Sequence, residues 1–267
     1  MHLKRWITAV VLLPLLFFLL LKGTPIAFSV LVALVTLLGL KEYFTIISGA
    51  GTKIPLTVSI PAYGMGLAVI WAAHTGGAGA ALAMVALNLV LLALVVVLQF
   101  SPDSSILDAA RKEIQGIVYL PMFLSFLVLI RNSDQGAVWI IWTFLIIAAS
   151  DTGAYYCGTY FGKRPLSPRV SPNKTVEGSA AGIVSAVVIG LCFSQLFVSG
   201  ISPVQAILFS TIAAAAGQVG DLFESALKRR GGIKDSGSIL PGHGGILDRI
   251  DGLIFALPIA FAFKTLL

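Results

Sequence analysis

Charge is what this chain has least of. Only 11% of its 267 residues are Asp, Glu, Lys or Arg, against 57% apolar residues and a mean hydropathy of +0.96. Soluble domains carry about 25% charged residues, so a water-soluble enzyme or binding module is excluded. Cysteine is scarce as well. Cys157 and Cys192 lie in or beside apolar runs, offer neither a disulfide framework nor metal-ligand spacing, and read as buried thiols. The chain also lacks an internal repeat of fixed period and a low-complexity tail. Its net charge of +6 would suggest nucleic acid in a soluble protein. In an apolar chain it points instead to loops facing anionic lipid and anionic substrates.

What is present is hydrocarbon-compatible sequence. Uncharged runs recur, each long enough to cross about 30 Å of bilayer as a helix. The fold class is therefore all-α, a polytopic membrane protein forming a single integral membrane domain. Nine spans are expected, at about 6–21, 24–40, 54–73, 79–100, 114–130, 136–152, 179–198, 203–227 and 246–265. Lys4 and Arg5 before the first run imitate a signal peptide. Leu20-Leu21-Lys22-Gly23 gives no small-residue cleavage site, so this run reads as a retained span. Thr24, Thr52, Ser101-Pro102, Gly136 and Ser202-Pro203 punctuate the joints.

Alternating nine spans from a cytoplasmic N-terminus sorts the basic residues. Fifteen fall on one side, from Lys4 to Arg249, and only Lys22, Arg131 and Lys264 on the other. By the positive-inside bias the N-terminus is cytoplasmic and the C-terminus external.

Function concentrates toward the C-terminus. Residues 1–135 read as membrane scaffold, with short loops, no carboxylate at depth, and His74 as a solvated residue of an outer turn. Gly64 and Gly66 read as helix packing, and Gly76-Gly77-Ala78-Gly79 as a tight connection. Residues 136–267 read as the catalytic part with cytoplasmic loops, and hold seven of the twelve acids. Asp151 continues an apolar helix, an expensive placement that marks function. The loop from Gly162 to Gly178 offers cations, hydroxyls and three prolines, with Thr175 placed to cap the next helix. Asp221, Glu224, Ser225 and Lys228 recur at helical spacing and share one face.

The stretch Ser225–Asp251 gathers Lys228, Arg229, Arg230, Lys234 and Arg249 with Asp235, Asp248, Asp251, His243 and six glycines. Glycines before a helix start, Gly244 and Gly245 among them, turn backbone N–H groups toward an anion. Asp248 and Asp251 at i and i+3 point the same way and suit Mg²⁺, a hard cation that shares its shell with substrate phosphates. Balancing the helix dipole is the bland reading of the same pair.

Ser225-x-Leu-Lys-Arg-x4-Lys-Asp-x-Gly-x2-Leu-Pro-Gly-His-Gly-Gly-Ile-x-Asp-Arg-Ile-Asp251 resembles, along its full length, the signature of phosphatidate cytidylyltransferases, also called CDP-diacylglycerol synthases. Asp151-Thr-Gly-Ala-Tyr155 and Ser171-Pro-Asn-Lys-Thr-Val-Glu-Gly178 are similar to further stretches of that family. The resemblance covers roughly 145–255. It implies transfer of CMP from CTP to phosphatidate, a lipid in the membrane, giving CDP-diacylglycerol and pyrophosphate. Mg²⁺ is the implied cofactor, with room for a second cation, and a homodimer is an allowed assembly. In that reading Asp221, Asp248 and Asp251 hold metal and, with Lys234, form the catalytic set. Ser171, Lys174, Thr175, Ser225, Lys228, Arg229, His243, Gly244, Gly245 and Arg249 meet the substrates, His243 as part of a phosphate-cradling turn rather than as a base. The expected location is a bacterial inner membrane with the site facing the cytoplasm. A CTP-dependent kinase of polyprenol-type alcohols and an ion-coupled transporter are the alternatives; acids gathered on one face argue against the transporter.

Overall fold

The computed structural model describes residues 14, 16–49, 54–101, 105–237 and 244–267. Among the described residues six helices are long and apolar enough to cross a membrane, so the chain is an integral membrane protein of helical architecture. The only sheet among the described residues is a two-stranded hairpin. The chain divides into two compact units: Met1–Asn132 with Arg230–Arg249, and Ser133–Arg229 with Ile250–Leu267.

In the first unit, α1 (Pro25–Ser48) starts where Thr24 accepts the Ala27 N–H at 3.2 Å, with Pro25 in the first turn, where its missing N–H costs nothing. Ser29, Val32, Thr36, Leu40 and Tyr43 recur every three or four residues, giving one buried stripe. Helix α2 (Leu56–Gln99) counts 44 residues and would measure about 66 Å if straight. Yet Thr57 near its start donates to the Gln99 side chain at its end, at 3.1 Å. The reversal is at Gly77, whose φ of 73° suits a residue without Cβ, so the expected tight connection divides two antiparallel limbs. Val58 and Leu92 from the two limbs pack together with Ile106, Ala109 and Ala110.

Helix α3 (Ile106–Ile117) passes through a π-helical turn (Val118–Met122) into α4 (Phe123–Arg131). Pro121, which lacks an N–H, sits inside that turn, where the regular ladder is already broken. Gly116 leaves the slot for the Tyr43 ring, since a Cβ there would lie 2.6 Å from Tyr43 Cε1. Tyr43 then donates its hydroxyl to the Lys112 carbonyl at 2.9 Å. Gly66 serves packing as expected, with Leu40 Cδ1 2.9 Å from where its Cβ would be, whereas Gly64 faces open space.

The second unit holds α5 (Gly136–Phe161), β1 (Pro165–Ser167), β2 (Ser171–Thr175), α6 (Val176–Phe197), α7 (Pro203–Arg230) and the body of α8 (Leu247–Leu266) from Ile250 onward. The buried face of α6 is Gly178, Gly182, Ala186, Gly190 and Ser194, one small residue every fourth position. That stripe lets α5 approach until the Ser150 carbonyl is 2.7 Å from where a Gly182 Cβ would be, the close packing that small residues allow between membrane helices. Trp142 donates its indole N–H to the Gly190 carbonyl at 2.9 Å and packs with Trp139 and Phe209. Gly217 and Gly220 of α7 likewise admit the backbone of Gly252 and Asp251.

Several expectations need correction. Two carboxylates just outside the spans drawn at 24–40 and 114–130 are buried by their partners within the first unit: Glu42 is 3% exposed, against the N–H groups of Ile246 and Leu247, and Glu113 1%, against Asn88. His74 is not a solvated loop residue; it lies within α2, with Nδ1 2.9 Å from the Ser29 hydroxyl. Cys192 is exposed and Cys157 only half-buried. Of the first expected span only the last part, helical through Leu21, falls among the described residues, and Thr52 and Pro102 lie outside them.

Candidate active site

Two clusters of polar side chains stand out, one in each unit. That of the second unit is built on the hairpin between α5 and α6. β1 and β2 pair antiparallel, Pro165 with Thr175 and Ser167 with Ser171. Glu177 pins the base, accepting the N–H groups of Lys163 and Arg164 at 3.1 Å each and the Arg164 Nε at 2.9 Å. Thr175 fulfils the capping role expected of it, accepting the Gly178 N–H at 3.1 Å. At the turn, the Val170 carbonyl accepts from Arg229 Nε at 3.2 Å. A hairpin held at base and turn leaves little freedom to the residue before the cap, Lys174, whose ammonium pairs with Asp221 of α7.

Both partners of that pair are about one-third exposed, 33% each, and face a cavity of about 330 Å³. Asp151 and Tyr155 of α5, Asn173 of β2 and Gln218 of α7 share its wall. Gln218 is held by the Ser150 hydroxyl and the Ser179 carbonyl, at 3.2 and 3.0 Å, and accepts from the Ser179 hydroxyl. Asp151 and Asp251 both lie within the electrostatic reach of Asp221. The cluster therefore has an excess of negative charge, with Lys174 as the cation facing it. Glu224, one turn beyond Asp221, is fully buried, its Oε1 3.2 Å from Lys228 Nζ. The shared face of α7 is thus divided: Asp221 opens to the cavity, while Glu224 and Lys228 pair with each other. Ser225 is half-buried on the same helix, and Ser171 half-buried on β2.

The cluster of the first unit surrounds the start of α8. Asp248 accepts the Gly245 N–H at 2.9 Å and the Ser236 N–H at 3.1 Å. Glu42 accepts the N–H groups of Ile246 and Leu247, at 3.0 and 2.9 Å, and the Ser236 hydroxyl at 3.3 Å. The helix start that sequence reading offered to a phosphate thus holds a carboxylate of the protein's own. Gly244 adopts φ 84°, Lys234 and Arg249 are exposed, and His243 lies outside the described residues.

Among the described residues, no three His, Cys, Asp or Glu side chains close into a ready metal cage. Mg²⁺ does not require one, since it keeps several waters and takes one or two carboxylates beside substrate phosphates. The carboxylates of Asp151, Asp221 and Asp251, oxygen donors with surplus negative charge, fit that chemistry.

Sequence reading marked Asp151 but left it out of the site, and missed Asn173, Gln218 and Glu42. Asp151 had a signal, a carboxylate continuing an apolar run. Glu42 had none, because its partners lie about two hundred residues away.

A helical membrane protein that sets carboxylates and a paired lysine around one cavity carries there the ionisable groups that mark a functional site in such proteins. The sequence profile of the cytidylyltransferase family matches residues 3–267, and the chain belongs to that family. A phosphatidate cytidylyltransferase of Staphylococcus epidermidis is 35% identical over 260 residues, 96% of each chain. Namesakes from Bacillus subtilis and Helicobacter pylori are 45% identical over 150 residues and 50% over 122. Of these last two relatives the chain spans about half the length, 56% and 45%.

Proposed function

We propose that this protein transfers CMP from CTP to phosphatidate, releasing pyrophosphate and leaving CDP-diacylglycerol in the membrane. The observation that carries the proposal is the cavity of the second unit, where Lys174, Asp221 and Asp151 face one space in a chain of the cytidylyltransferase family. A phosphate oxygen of phosphatidate forms a bond to the α-phosphorus of CTP, and the bond from that phosphorus to the bridging oxygen of the β-phosphate breaks. The attacking phosphomonoester has a second pKa of about 6 and is already largely ionised near neutral pH. It needs no protein base. What the protein supplies is position and compensation of charge.

In the second unit, Asp221 and Asp251 are the proposed Mg²⁺ ligands, with Lys174 neutralising phosphate and Ser171 on the nucleotide side. Arg229, braced on the Val170 carbonyl, extends that basic edge. In the first unit Asp248 is the proposed ligand, with Lys234 and Arg249 as the exposed cations beside it. Bound Mg²⁺ would neutralise phosphate oxygens and orient the triphosphate.

The proposal includes nine crossings, the N-terminus and active site on the cytoplasmic side of a bacterial inner membrane, and the C-terminus outside. Supporting it are the reversal at Gly77, which makes two limbs of α2, and α8, whose apolar length follows Asp251. A homodimer belongs to the same reading and is read from the mass of the solubilised particle. The direct test is incubation of purified protein with phosphatidate, CTP and Mg²⁺. A CDP-lipid is expected, and its absence from folded protein overturns the proposal.

A further inference from the structure

We infer that Glu42, in the N-terminal scaffold, is a positioning residue for the reaction, fixing the start of α8 and through it the Asp248 carboxylate; the inference rests on the proposed function. The first N–H groups of a helix have no partner within it. At α8 those of Ile246 and Leu247 end on Glu42, at 3.0 and 2.9 Å. A carboxylate with 3% exposure is costly to bury unless its oxygens are bonded. Here it accepts three donors and meets the positive end of the helix dipole.

Ser236 links the two carboxylates. Its hydroxyl donates to Glu42 and its backbone N–H to Asp248. Gly245 links them again: its N–H donates to Asp248, and a Cβ there would lie 2.7 Å from Glu42 Oε2. At Gly237 a Cβ would lie 2.6 Å from Glu42 Oε1. The two stretches that donate to or flank the donors of Asp248, Ser236–Gly237 and Gly245–Leu247, are therefore both packed on Glu42, at the two glycines too closely to admit a side chain. Both N–H groups that orient Asp248 belong to residues packed on that one carboxylate. A local helix cap could come from a neighbouring residue; this one comes from α1 and ties the scaffold to a proposed metal ligand.

The test compares wild type with Glu42→Gln in detergent-solubilised full-length protein, by amide hydrogen exchange and by kinetics. Gln keeps the shape but turns an amide N–H₂ toward N–H donors. Exchange at Gly245–Leu247 should become about tenfold faster or more, with helices α5 and α6 unchanged. kcat should fall about 10–100-fold, as when a supporting partner of a metal ligand is lost. KM for CTP should stay near wild type while the Mg²⁺ concentration for half-maximal rate rises. Wild-type kcat and Mg²⁺ dependence, or lost activity without faster local exchange, would overturn the inference. If Glu42→Gln does not fold, Ser236→Ala, which removes one of the three bonds, carries the test. It should shift exchange and Mg²⁺ dependence in the same direction, and no shift overturns the inference. A wild type that makes no CDP-lipid sinks the functional reading instead, while the exchange result still reads the brace.

Discussion

Replacing Asp221 by Asn removes one charge from the cavity of the second unit and almost no volume. Its structural cost follows from exposure. The Lys174–Asp221 pair is one-third exposed on both sides, and a pair that water still reaches contributes about 0–1 kcal/mol. Asp221 also stands in the field of Asp151 and Asp251, so losing its charge relieves repulsion and offsets part of that. The melting temperature of the solubilised protein should therefore move by no more than about 3 °C. The chemical cost is of another size. Groups placed for the charge of the transition state are worth about 10²–10³ in kcat each, about 3–4 kcal/mol. The assay is CDP-lipid formation at saturating CTP and phosphatidate, with Mg²⁺ varied, beside a thermal melt of the same preparation. Folded protein with turnover down at least about a hundredfold is expected. Wild-type turnover in folded Asp221→Asn would refute the reasoning, and so would a loss explained by unfolding.

Thr175→Ala removes the cap of α6 and should cost about 1 kcal/mol of stability; because Lys174 precedes the cap, KM for CTP should rise as well, as initial rates would show. Gly182→Ala puts a Cβ 2.7 Å from the Ser150 carbonyl and 2.9 Å from Gln218 Nε2, an overpacking that should cost about 1–3 kcal/mol in a thermal melt. Gly64→Ala, at a helical position with nothing within 4 Å, should instead be neutral or gain up to about 1 kcal/mol. A reporter fused after Leu267 should read as external and one inserted near Arg169 as cytoplasmic; the same side for both contradicts nine crossings.

Much of the fold was legible because membrane spans are written in composition. Thr24 and Thr175 announce their helices as caps, and Gly77 announces the reversal within α2. Helix α8 carries Asp248, Arg249, Asp251 and Lys264 in twenty residues, so length and hydropathy alone pass over it, although its apolar run after Asp251 is plain. The hairpin was not legible: its prolines and polar residues show no alternation, and what holds it is side-chain bonding by Glu177, Thr175 and Arg229. The stripe from Gly178 to Ser194 was there to be read at a spacing of four, but it is spread among residues equally suited to lipid. Lys174 and Asp221 were both marked from sequence, and only the fold brings them together across 47 positions. Glu42 shows the limit. A single acid at the end of an apolar run reads as a loop residue, and only a partner two hundred positions away gives it a purpose.

The central claim is that the α-phosphorus of CTP is the centre attacked and phosphatidate the nucleophile. It is tested most directly by presenting purified protein, phosphatidate and Mg²⁺ with CTP labelled at either the α- or the γ-phosphate. The account predicts that α-label enters the lipid and γ-label leaves as pyrophosphate. Lipid labelled from the γ-position, or label in neither lipid nor pyrophosphate, would contradict it.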